Sequence, residues 1–390
     1  MKISGHIGIA LGVLGAQAAL LKWAAEPFLY GGFSTAALSL LALLCSSPGI
    51  GRKVWYNLGM CGLIIGGAET WLKTAPMRAD DQPHTYFEGS YTYNYMDVHD
   101  ILGYGPRLRG TVNSRKMFEK EVVYDATYTI LKSGLRNAGS NETAEQSMVF
   151  FGGSYMFGEG VDDKETLPYA MQERLQKPWA MYNFGFHGYG PHQMVAALQS
   201  EMVAETVKAP PAHIFYMTAG FHIGRPSGVS QLNGPAYYLD TKGRIKRDGF
   251  FEDEPHAPSA WVIKLKNQTD KSRIYQRLTK PRYLQGDREF ALYMALLREA
   301  RDLAAKQYPD AQFHVILWRM DNEGGDRVYE QLTQEKFTIH VVGDALDPDR
   351  DRDEYKLGEH DGHPNAIAFS ALAAYLVDEV IEPATETPPR

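Results

Sequence analysis

The sequence predicts an α/β fold, in which helices cover both faces of a parallel β-sheet, preceded by three transmembrane helices at the N-terminus. Two observations carry this prediction. From about residue 147 onward, short apolar strands alternate with longer helical segments, which is typical of parallel sheets with helical crossovers. Before residue 75, three long apolar runs follow one another, and each has the length of a membrane-spanning helix.

The three apolar runs begin near Ile7, Phe28 and Val54 and are each about 18 to 20 residues long, close to the length at which a helix crosses the hydrocarbon core. Aromatic residues lie near the ends of the runs, where membrane interfaces favour them. These features predict a membrane anchor over residues 1–75. The alternative is a set of buried core helices, because polar residues interrupt the runs at Gln17, Asn57 and Glu69.

Positive residues orient the predicted anchor. Lys2, Arg52 and Lys53 flank the runs on one side, while on the other side lysine and arginine are balanced by acidic residues. Because cytoplasmic loops carry the excess of positive charge, we expect the N-terminus in the cytoplasm and the chain after about residue 75 on the outer side of the membrane.

Charge and cysteine content exclude several classes of function. The 390-residue chain has a net charge of −7 and no block rich in Lys and Arg, so the positive surface that nucleic-acid binding needs is missing. Its two cysteines, Cys45 and Cys61, offer neither a disulfide framework nor the spacing of a thiolate metal site. The alternating acids from Asp347 to Asp353 lack the glycine and closing glutamate of a calcium loop. We therefore expect no nucleic-acid partner, no metal and no cofactor.

Residues 76–145 are predicted to form a linker and then a β-hairpin, since apolar and polar residues alternate from about Lys120 to Asn137 with a Lys-Ser-Gly turn near the end. The predicted α/β domain covers residues 146–385. An insertion at about 226–285 is expected to contain another hairpin with a Thr-Lys-Gly turn. It would lie over one edge of the sheet, where loops shape substrate access.

The strands and helices of the α/β domain follow from local patterns. The predicted strands are SMVFFGG, WAMYNFGF, HIFYMTA, FHVILW and FTIHVV. The predicted helices are ETLPYAMQERLQ, GPHQMVAALQSEMVAETV, EFALYMALLREARDLAAKQY, DRVYEQLTQE and PNAIAFSALAAYLVDEVI. Sites in such sheets form at the carboxyl ends of the strands.

Three segments carry chemistry at that edge of the predicted sheet. Ser154 follows two glycines directly after the first strand, where the backbone has room to turn sharply beside a hydroxyl. The segment NFGFHGYG places glycines after the second strand, where a backbone N–H can face a developing oxyanion. The segment HDGHPNA puts Asp361 and His363 before the last helix. A serine nucleophile needs a base, and the base needs a carboxylate that fixes its tautomer.

The order of the segments GGSYMFGEGVDDKETLP, YNFGFHGYG and DGHPNA resembles the SGNH/GDSL hydrolase superfamily over roughly residues 120–380, in particular its bacterial membrane-anchored members. The resemblance implies a flavodoxin-like three-layer sandwich and an esterase or O-acyltransferase. Matched by position, it implies Ser154 as nucleophile, His363 as general base and Asp361 as its acidic partner. It also implies that the N–H groups of Ser154 and Gly188 form the oxyanion hole.

Two positions depart from the pattern of this superfamily. An Asp usually precedes the nucleophile, and this chain has Gly153 there. The third segment usually carries an Asn that completes the oxyanion hole, whereas this chain reads TAGFHIGR, in which His222 or Arg225 is a candidate replacement. The alternative is a site with two donors and weaker catalysis.

The predicted function is hydrolysis of a short acyl ester, such as acetyl, on a cell-envelope glycan or lipid through a Ser-His-Asp triad. One alternative is an O-acyltransferase that modifies an exopolysaccharide or peptidoglycan, and another is a non-catalytic glycan-binding scaffold. The three membrane runs and the resemblance together predict a multi-pass protein of the bacterial inner membrane with its catalytic domain on the periplasmic side. Its expected partners are the acylated substrate, the membrane and, where transfer occurs, a membrane-bound acyl-transfer partner.

The substrate pocket is expected to include Tyr155, His187, Tyr189 and Arg225, which lie beside the proposed nucleophile or in the matched segments. Aromatic rings suit stacking on sugars or contact with a short acyl chain. They suit core packing equally well, and His187 and His192 are as readily interpreted as structural loop histidines.

Overall fold

The computed structural model describes residues 35–39, 50–74, 85–92, 95–228, 233–253, 286–319 and 323–383. The chain divides into two compact units. The first comprises Met1–Pro83 and Ala257–Arg282, and the second comprises His84–His256 and Tyr283–Arg390. In the first unit the described residues form a helical segment at 35–39 and helix α1 (Ile50–Thr74).

Helix α1 contains the third predicted membrane run, and the structure corrects that prediction. Within the described ranges, no helix has both the length and the apolar character needed to cross a membrane. In α1 the reason is composition, because five glycines, Asn57, Glu69 and the charged residues Arg52 and Lys53 dilute the apolar side chains, and polar or charged groups are costly in hydrocarbon. The other two predicted runs lie outside the described residues, apart from 35–39. The prediction of three transmembrane helices is therefore wrong.

The predicted multi-pass location in a bacterial inner membrane is corrected for the same reason. It required three crossings, and the described part of the chain contains no helix that could make one. The periplasmic placement, the membrane contact and the membrane-bound acyl-transfer partner all depended on those crossings and lose their support.

The second unit begins with short antiparallel strands. They are β1 (Thr85–Glu88), β2 (Met96–His99), β3 (Gly103–Pro106), β4 (Gly110–Phe118) and β5 (Glu121–Ile130). Strand β4 pairs with both β1 and β5, while β2 and β3 form a separate hairpin. The predicted hairpin segment therefore forms β5, and its Lys-Ser-Gly stretch makes a tight turn in which Gly134 N donates to Leu131 O over 2.9 Å.

A five-stranded parallel sheet forms the centre of this unit. Its strands are β6 (Ser147–Gly152), β7 (Ala180–Asn183), β8 (Pro211–Ala219), β11 (Gln312–Trp318) and β12 (Thr338–Val341). The spatial order is β7–β6–β8–β11–β12, and all four pairings are parallel. In chain order this is 2-1-3-4-5, the order of flavodoxin-like sheets, in which sites form where the direction of winding reverses, here between β6 and β8.

Helices cover both faces of this sheet. The described helices of the unit are α2 (Ser154–Phe157), α3 (Leu167–Arg174), α4 (Pro191–Gln199), α5 (Met202–Thr206), α6 (Asp287–Gln307), α7 (Glu323–Gln334), α8 (Val342–Ala345) and α9 (Ala366–Tyr375). One long predicted helix is split into α4 and α5 at Glu201, which has a φ of +63°. The alternating α/β part of the prediction thus agrees with the structure.

The two faces of β6 illustrate why three layers form. Val149 and Phe151 belong to one buried cluster with residues of α4, α6 and α7. Met148 and Phe150 belong to a second cluster with residues of α3 and α9. Because successive side chains of a strand point to opposite faces, a strand that is apolar at every position must be covered on both sides.

A row of three histidines crosses the sheet on neighbouring strands. His213 Nδ1 lies 3.1 Å from His314 Nε2, and His314 Nδ1 lies 3.0 Å from His340 Nε2. Burial lowers the pKa of His314 to about 3, with the other two imidazoles acting in the same direction. The row is therefore a chain of neutral imidazoles that joins β8, β11 and β12.

The predicted insertion begins with a described hairpin. Strands β9 (Pro235–Leu239) and β10 (Ile245–Phe250) pair in antiparallel fashion, and Gly243 in their turn has a φ of +73°. This confirms the hairpin with its Thr-Lys-Gly turn. The remainder of the insertion, from 254 to 285, lies outside the described residues.

Candidate active site

Ser154 is the first residue of α2, immediately beyond the carboxyl end of β6. The residue before it, Gly153, is in close contact with its surroundings. A Cβ atom at Gly153 would overlap the guanidinium of Arg225 and would lie 3.2 Å from the carbonyl oxygen of Tyr189. The Asp that the resemblance leads one to expect here would displace the guanidinium of Arg225, which occupies the space beside Gly153.

A β-hairpin before the last helix carries Asp361 and His363. Its strands are β13 (Lys356–Gly358) and β14 (Asp361–Pro364). Asn365 fixes the junction to α9, since its side chain accepts from Ala368 N and donates to the carbonyl oxygens of Glu354 and Lys356. The sequence DGHPNA thus combines a strand, a helix N-cap, a histidine that contacts Ser154 and a carboxylate that contacts this histidine.

The three predicted catalytic side chains form a hydrogen-bonded row. Ser154 Oγ lies 2.8 Å from His363 Nε2, and His363 Nδ1 lies 2.6 Å from Asp361 Oδ1. Asp361 Oδ1 also accepts from the backbone N–H of His363 over 2.9 Å. This arrangement fixes the imidazole so that one nitrogen faces a carboxylate and the other faces the hydroxyl, as a serine nucleophile and its base require. The catalytic role of the three residues stays a prediction.

Tyr155 holds the hairpin against the serine turn. Its hydroxyl donates to Gly362 O over 3.1 Å, and its ring meets the His363 ring edge to face at 5.1 Å between centroids. Trp318 and Phe221 pack on the other edges of Tyr155. Tyr155 therefore contacts the imidazole, as its assignment to the site suggested, and is itself buried.

Lys116 is a site residue that the sequence analysis missed. From β4, its Nζ donates to Asp361 Oδ2 over 2.8 Å, with both side chains largely buried. Burial of Asp361 acts to raise its pKa, but hydrogen bonds from His363 and Lys116 outweigh burial and hold that pKa well below the usual range. The carboxylate facing His363 is therefore ionised at neutral pH. No local signal could reveal Lys116, which lies 245 positions away along the chain.

Glu159 is the second missed residue and lies on the other side of the imidazole. Its Oε2 is 3.5 Å from His363 Nε2 and 2.6 Å from His187 Nδ1. Burial acts to raise the pKa of Glu159, but the two histidines outweigh it and lower that pKa to about 2. The sequence signal that could have revealed Glu159 is its position between two glycines, five residues after Ser154.

The pKa of His363 reflects two carboxylates. Burial acts to lower it, and the charges of Glu159 and Asp361 outweigh burial and raise it above its ordinary value. A general base must be neutral, so activity that depends on His363 should be lost as pH falls through this raised pKa and gained as pH rises through it.

The predicted oxyanion residues differ in the contacts that they make. Gly188 has a φ of +75° in the turn closed by Tyr189 N donating to Phe186 O. Arg225 donates to Tyr189 O and fills the space beside Gly153. His222 is buried and its Nδ1 lies 3.3 Å from Thr218 Oγ1. Of the two candidates for the missing Asn, Arg225 is thus the one that contacts the turn carrying Ser154.

The remaining predicted pocket residues, His187 and Tyr189, are held in hydrogen bonds. His187 joins Glu159 through one ring nitrogen and Tyr91 through the other, at 2.9 Å. Tyr189 donates its hydroxyl to Tyr104 O. His192 is buried, and burial together with the charge of Arg225 lowers its pKa to about 3. His187 therefore belongs to the network around His363, whereas Tyr189 supports the fold of its turn.

One candidate ligand site lies within the serine site and another lies apart from it. Within the described residues, one group of acidic and histidine side chains has ligand atoms that all lie within 4.8 Å of one another. It consists of Glu159, Asp361 and His363. Hydrogen bonds already join His363 to Asp361 and Ser154. We therefore interpret this group as part of the hydrogen-bonded row that contains Ser154. A groove of 700 Å³ lies over α9 and contains none of these residues.

Replacing Lys116 by methionine is expected to lower kcat/KM for an ester about three- to tenfold at neutral pH. The lysine charge lowers the pKa of His363, so its loss leaves the imidazole protonated to a higher pH and shifts the acid limb of the pH profile upward. The measurement is kcat/KM for p-nitrophenyl acetate from pH 5 to 9.

The exposed Lys120, at the turn of the same hairpin, offers a matched control as Lys120→Met. Lys116→Arg should restore most of the wild-type profile because it keeps the cation. A Lys116→Met enzyme with an unshifted acid limb would contradict an electrostatic role of Lys116.

Comparisons with known proteins add structural neighbours at low similarity. No protein-family profile matches the chain, and no curated protein matches it. Solved structures that resemble it include a member of the lipolytic G-D-S-L family from Veillonella parvula, with 13% identity, a TM-score of 0.34, and coverage of 61% of this chain and 100% of that chain. An acetyl xylan esterase from the rumen bacterium Butyrivibrio proteoclasticus shows 12% identity and a TM-score of 0.31, covering 61% and 64%.

A third neighbour is a family 2 carbohydrate esterase with a carbohydrate-binding domain from Corynascus thermopiles (Myceliophthora fergusii). It shows 13% identity and a TM-score of 0.31, and the match covers 61% of this chain and 66% of that chain. Similarity at this level carries no argument about function, which must rest on the contacts around Ser154.

Proposed function

We propose that this protein is a serine esterase that hydrolyses a short acyl ester, such as an acetyl ester, on a glycan. The observation that carries the proposal is the row in which Ser154 Oγ lies 2.8 Å from His363 Nε2 and His363 Nδ1 lies 2.6 Å from Asp361 Oδ1. A serine hydroxyl, an oriented imidazole and an ionised carboxylate in this order are the groups that acyl transfer through a serine ester requires.

In the acylation step, His363 Nε2 takes the proton of Ser154 as Oγ attacks the ester carbonyl carbon. The backbone N–H groups of Ser154 and Gly188 are the proposed donors to the negative oxygen that develops. The adduct collapses when the bond to the alcohol oxygen breaks and His363 returns the proton to that oxygen. Asp361, kept ionised by Lys116, stabilises the charged imidazole between these two proton transfers.

In the deacylation step, water takes the place of the alcohol. His363 removes its proton, the water oxygen attacks the acyl carbon, and Ser154 Oγ leaves with the proton from His363. If a sugar hydroxyl attacks instead of water, the same residues catalyse O-acyl transfer, which is the alternative outcome of the same intermediate.

The test is to trap the acyl-enzyme. Full-length protein is mixed with p-nitrophenyl acetate, quenched in acid within milliseconds to seconds, digested and analysed by mass spectrometry. We expect a 42-Da acetyl group, the mass of C2H2O, on the peptide that carries Ser154, together with a burst of p-nitrophenol. Longer p-nitrophenyl esters in parallel report the acyl length that the site accepts.

Protein that hydrolyses the ester with the label on another residue would refute the assigned nucleophile. Protein that binds glycan but releases no p-nitrophenol and acquires no label would identify a non-catalytic scaffold. Adding methyl β-glucoside separates hydrolase from transferase, because only a transferase forms the acetylated glucoside.

A further inference from the structure

A cavity adjoins the site on the side of Glu159. It has a volume of 240 Å³, and its walls include Phe87, Tyr91, Tyr95, Tyr124, Glu159 and His187. We refer to it as the aromatic cavity. Four of its rings come from the N-terminal antiparallel region and stand around a carboxylate and an imidazole that belong to the α/β core. The cavity is therefore assembled by two parts of the second unit.

Two hydrogen bonds and one ion-pair contact connect the wall of the aromatic cavity to the proposed catalytic imidazole. Tyr91 OH lies 2.9 Å from His187 Nε2, His187 Nδ1 lies 2.6 Å from Glu159 Oε2, and that oxygen lies 3.5 Å from His363 Nε2. Ser154 Oγ lies 2.8 Å from the same His363 nitrogen. An oxygen atom that exchanges a proton with His363 Nε2 therefore lies beside the same ring nitrogen that Glu159 Oε2 contacts.

The oxygen that exchanges this proton is the alcohol oxygen of the ester. It receives the proton as it leaves, and in the reverse reaction it gives the proton up as it attacks. A carboxylate beside it can accept a hydrogen bond from the free hydroxyl, and such charge-assisted bonds are stronger than neutral ones. The position of Glu159 thus suits recognition of the alcohol part of the substrate rather than of its acyl part.

The dimensions and chemistry of the aromatic cavity indicate what the alcohol is. Its 240 Å³ falls below the roughly 300–1,000 Å³ of pockets that hold drug-sized ligands, which limits it to a single ring. Tyr91 and Tyr95 stack on each other with centroids 4.9 Å apart, and their apolar faces and hydroxyl groups match the mixed surface of a sugar. The Glu159 carboxylate supplies a polar contact for ring hydroxyls, and His187, with both ring nitrogens hydrogen-bonded to Glu159 and Tyr91, holds that carboxylate in place.

We infer that the aromatic cavity is the subsite for one sugar ring, the alcohol part of the ester, and that Glu159 accepts a hydrogen bond from its reacting hydroxyl. This inference rests on the proposed esterase function. When the tetrahedral adduct breaks, the carbon–oxygen bond to the sugar opens and the proton passes from His363 Nε2 to the sugar oxygen. The new hydroxyl then donates to Glu159 Oε2, and the acetyl group stays on Ser154 Oγ.

The experiment compares two acetyl esters that differ only in the alcohol. A methyl β-glucoside that carries a single acetyl ester releases a sugar hydroxyl, which must be protonated, while p-nitrophenyl acetate releases a stable phenolate that has no sugar contacts. Ser114 also lines the aromatic cavity and is buried, so a leucine there would fill it. In full-length protein, Glu159→Gln and Ser114→Leu are each expected to lower the ratio of kcat/KM for the sugar ester to kcat/KM for the phenyl ester about tenfold or more. Glu142→Gln, at an exposed glutamate, is the matched control and should leave the ratio unchanged.

Binding is measured separately by saturation-transfer NMR with methyl β-glucoside. We expect a signal in wild-type protein and in Ser154→Ala, and its loss in Ser114→Leu. Equal losses for both esters in Glu159→Gln, or a sugar signal that survives in Ser114→Leu, would overturn the inference. Failure of the esterase proposal gives a result that differs from failure of the sugar-subsite inference. In that case wild-type protein releases no p-nitrophenol, whether or not the sugar signal is present.

Discussion

Ser154→Ala is expected to lower kcat/KM for p-nitrophenyl acetate by about 10⁴-fold or more, the range that follows removal of a nucleophile from a serine triad. The reason is that Oγ is the atom 2.8 Å from His363 Nε2, and alanine leaves no other atom there to form the acyl-enzyme. The backbone of α2 is kept, so the free energy of unfolding should change little. Steady-state kinetics and urea unfolding of the same preparations measure both quantities.

Ser370→Ala provides a matched control, because Ser370 is an exposed serine on α9, the helix that follows His363. Its kinetics should equal those of wild type. If Ser154→Ala kept more than about one per cent of wild-type activity, the nucleophile would have to be another group, and the proposed mechanism would fall. The double variant Ser154→Ala, His363→Ala should be no slower than Ser154→Ala alone, because residues that act as a unit do not contribute additively.

The order of strands and helices could be predicted from the sequence because its causes are local. Strand β6 reads Met148 to Phe151 without a polar residue, and the structure buries all four side chains between two helical layers. The contact between Asp361 and His363 is equally local, since both lie on β14 and the Asp361 carboxylate accepts from the backbone N–H of His363 two residues later. Such features need only the pattern of a few neighbouring residues.

Lys116 and Glu159 could not be assigned in the same way. Lys116 reaches Asp361 because the pairing of β4 with β5 and the docking of that hairpin place its Nζ beside β14, which no local pattern reports. Glu159 lies near Ser154 in the sequence, but its role depends on the turn after Phe157, where Gly158 has a φ of +79°. Long-range contacts decide which charges meet, and a single sequence does not encode them in its spacing.

The membrane helices were predicted from run length and aromatic ends, and these two signals were insufficient. The apolar run in α1 includes glycines and Glu69, whose side chain is 1% exposed. Length shows only that a helix could span a bilayer, while the balance of apolar and polar groups decides whether it can. The composition of α1 fails the second condition.

Arg136→Met is expected to reduce the free energy of unfolding by about 3–5 kcal/mol, the cost of breaking a buried ion pair from one side. The side chain of Arg136 is fully buried, and its Nε donates to Asp163 Oδ1 over 2.8 Å. Its other nitrogens donate to the carbonyl oxygens of Phe157, Gly158 and Val161. Methionine fills a similar volume but leaves a carboxylate and three carbonyl groups without these donors.

Arg136 also holds the loop that carries the site residue Glu159. Its guanidinium carbon lies 4.1 Å from the ring centroid of Tyr128 and 4.8 Å from that of Phe157, so it holds the loop after α2 against β5. Glu159 is in that loop, between the carbonyl groups that Arg136 binds. Loss of the arginine should therefore weaken the contact between Glu159 and His363 before the domain unfolds.

Urea and thermal unfolding of full-length protein measure the effect of Arg136→Met. A loss of this size corresponds to a fall in Tm of about 2–4 °C for each kcal/mol in a domain of this size class. The matched control is Arg115→Met on the neighbouring strand β4, because Arg115 pairs with Asp125 at the exposed surface, where ion pairs contribute little; its unfolding midpoint should equal that of wild type. Equal midpoints for the Arg136 and Arg115 variants would show that the loop carrying Glu159 is held by apolar packing alone, with no contribution from the buried charge.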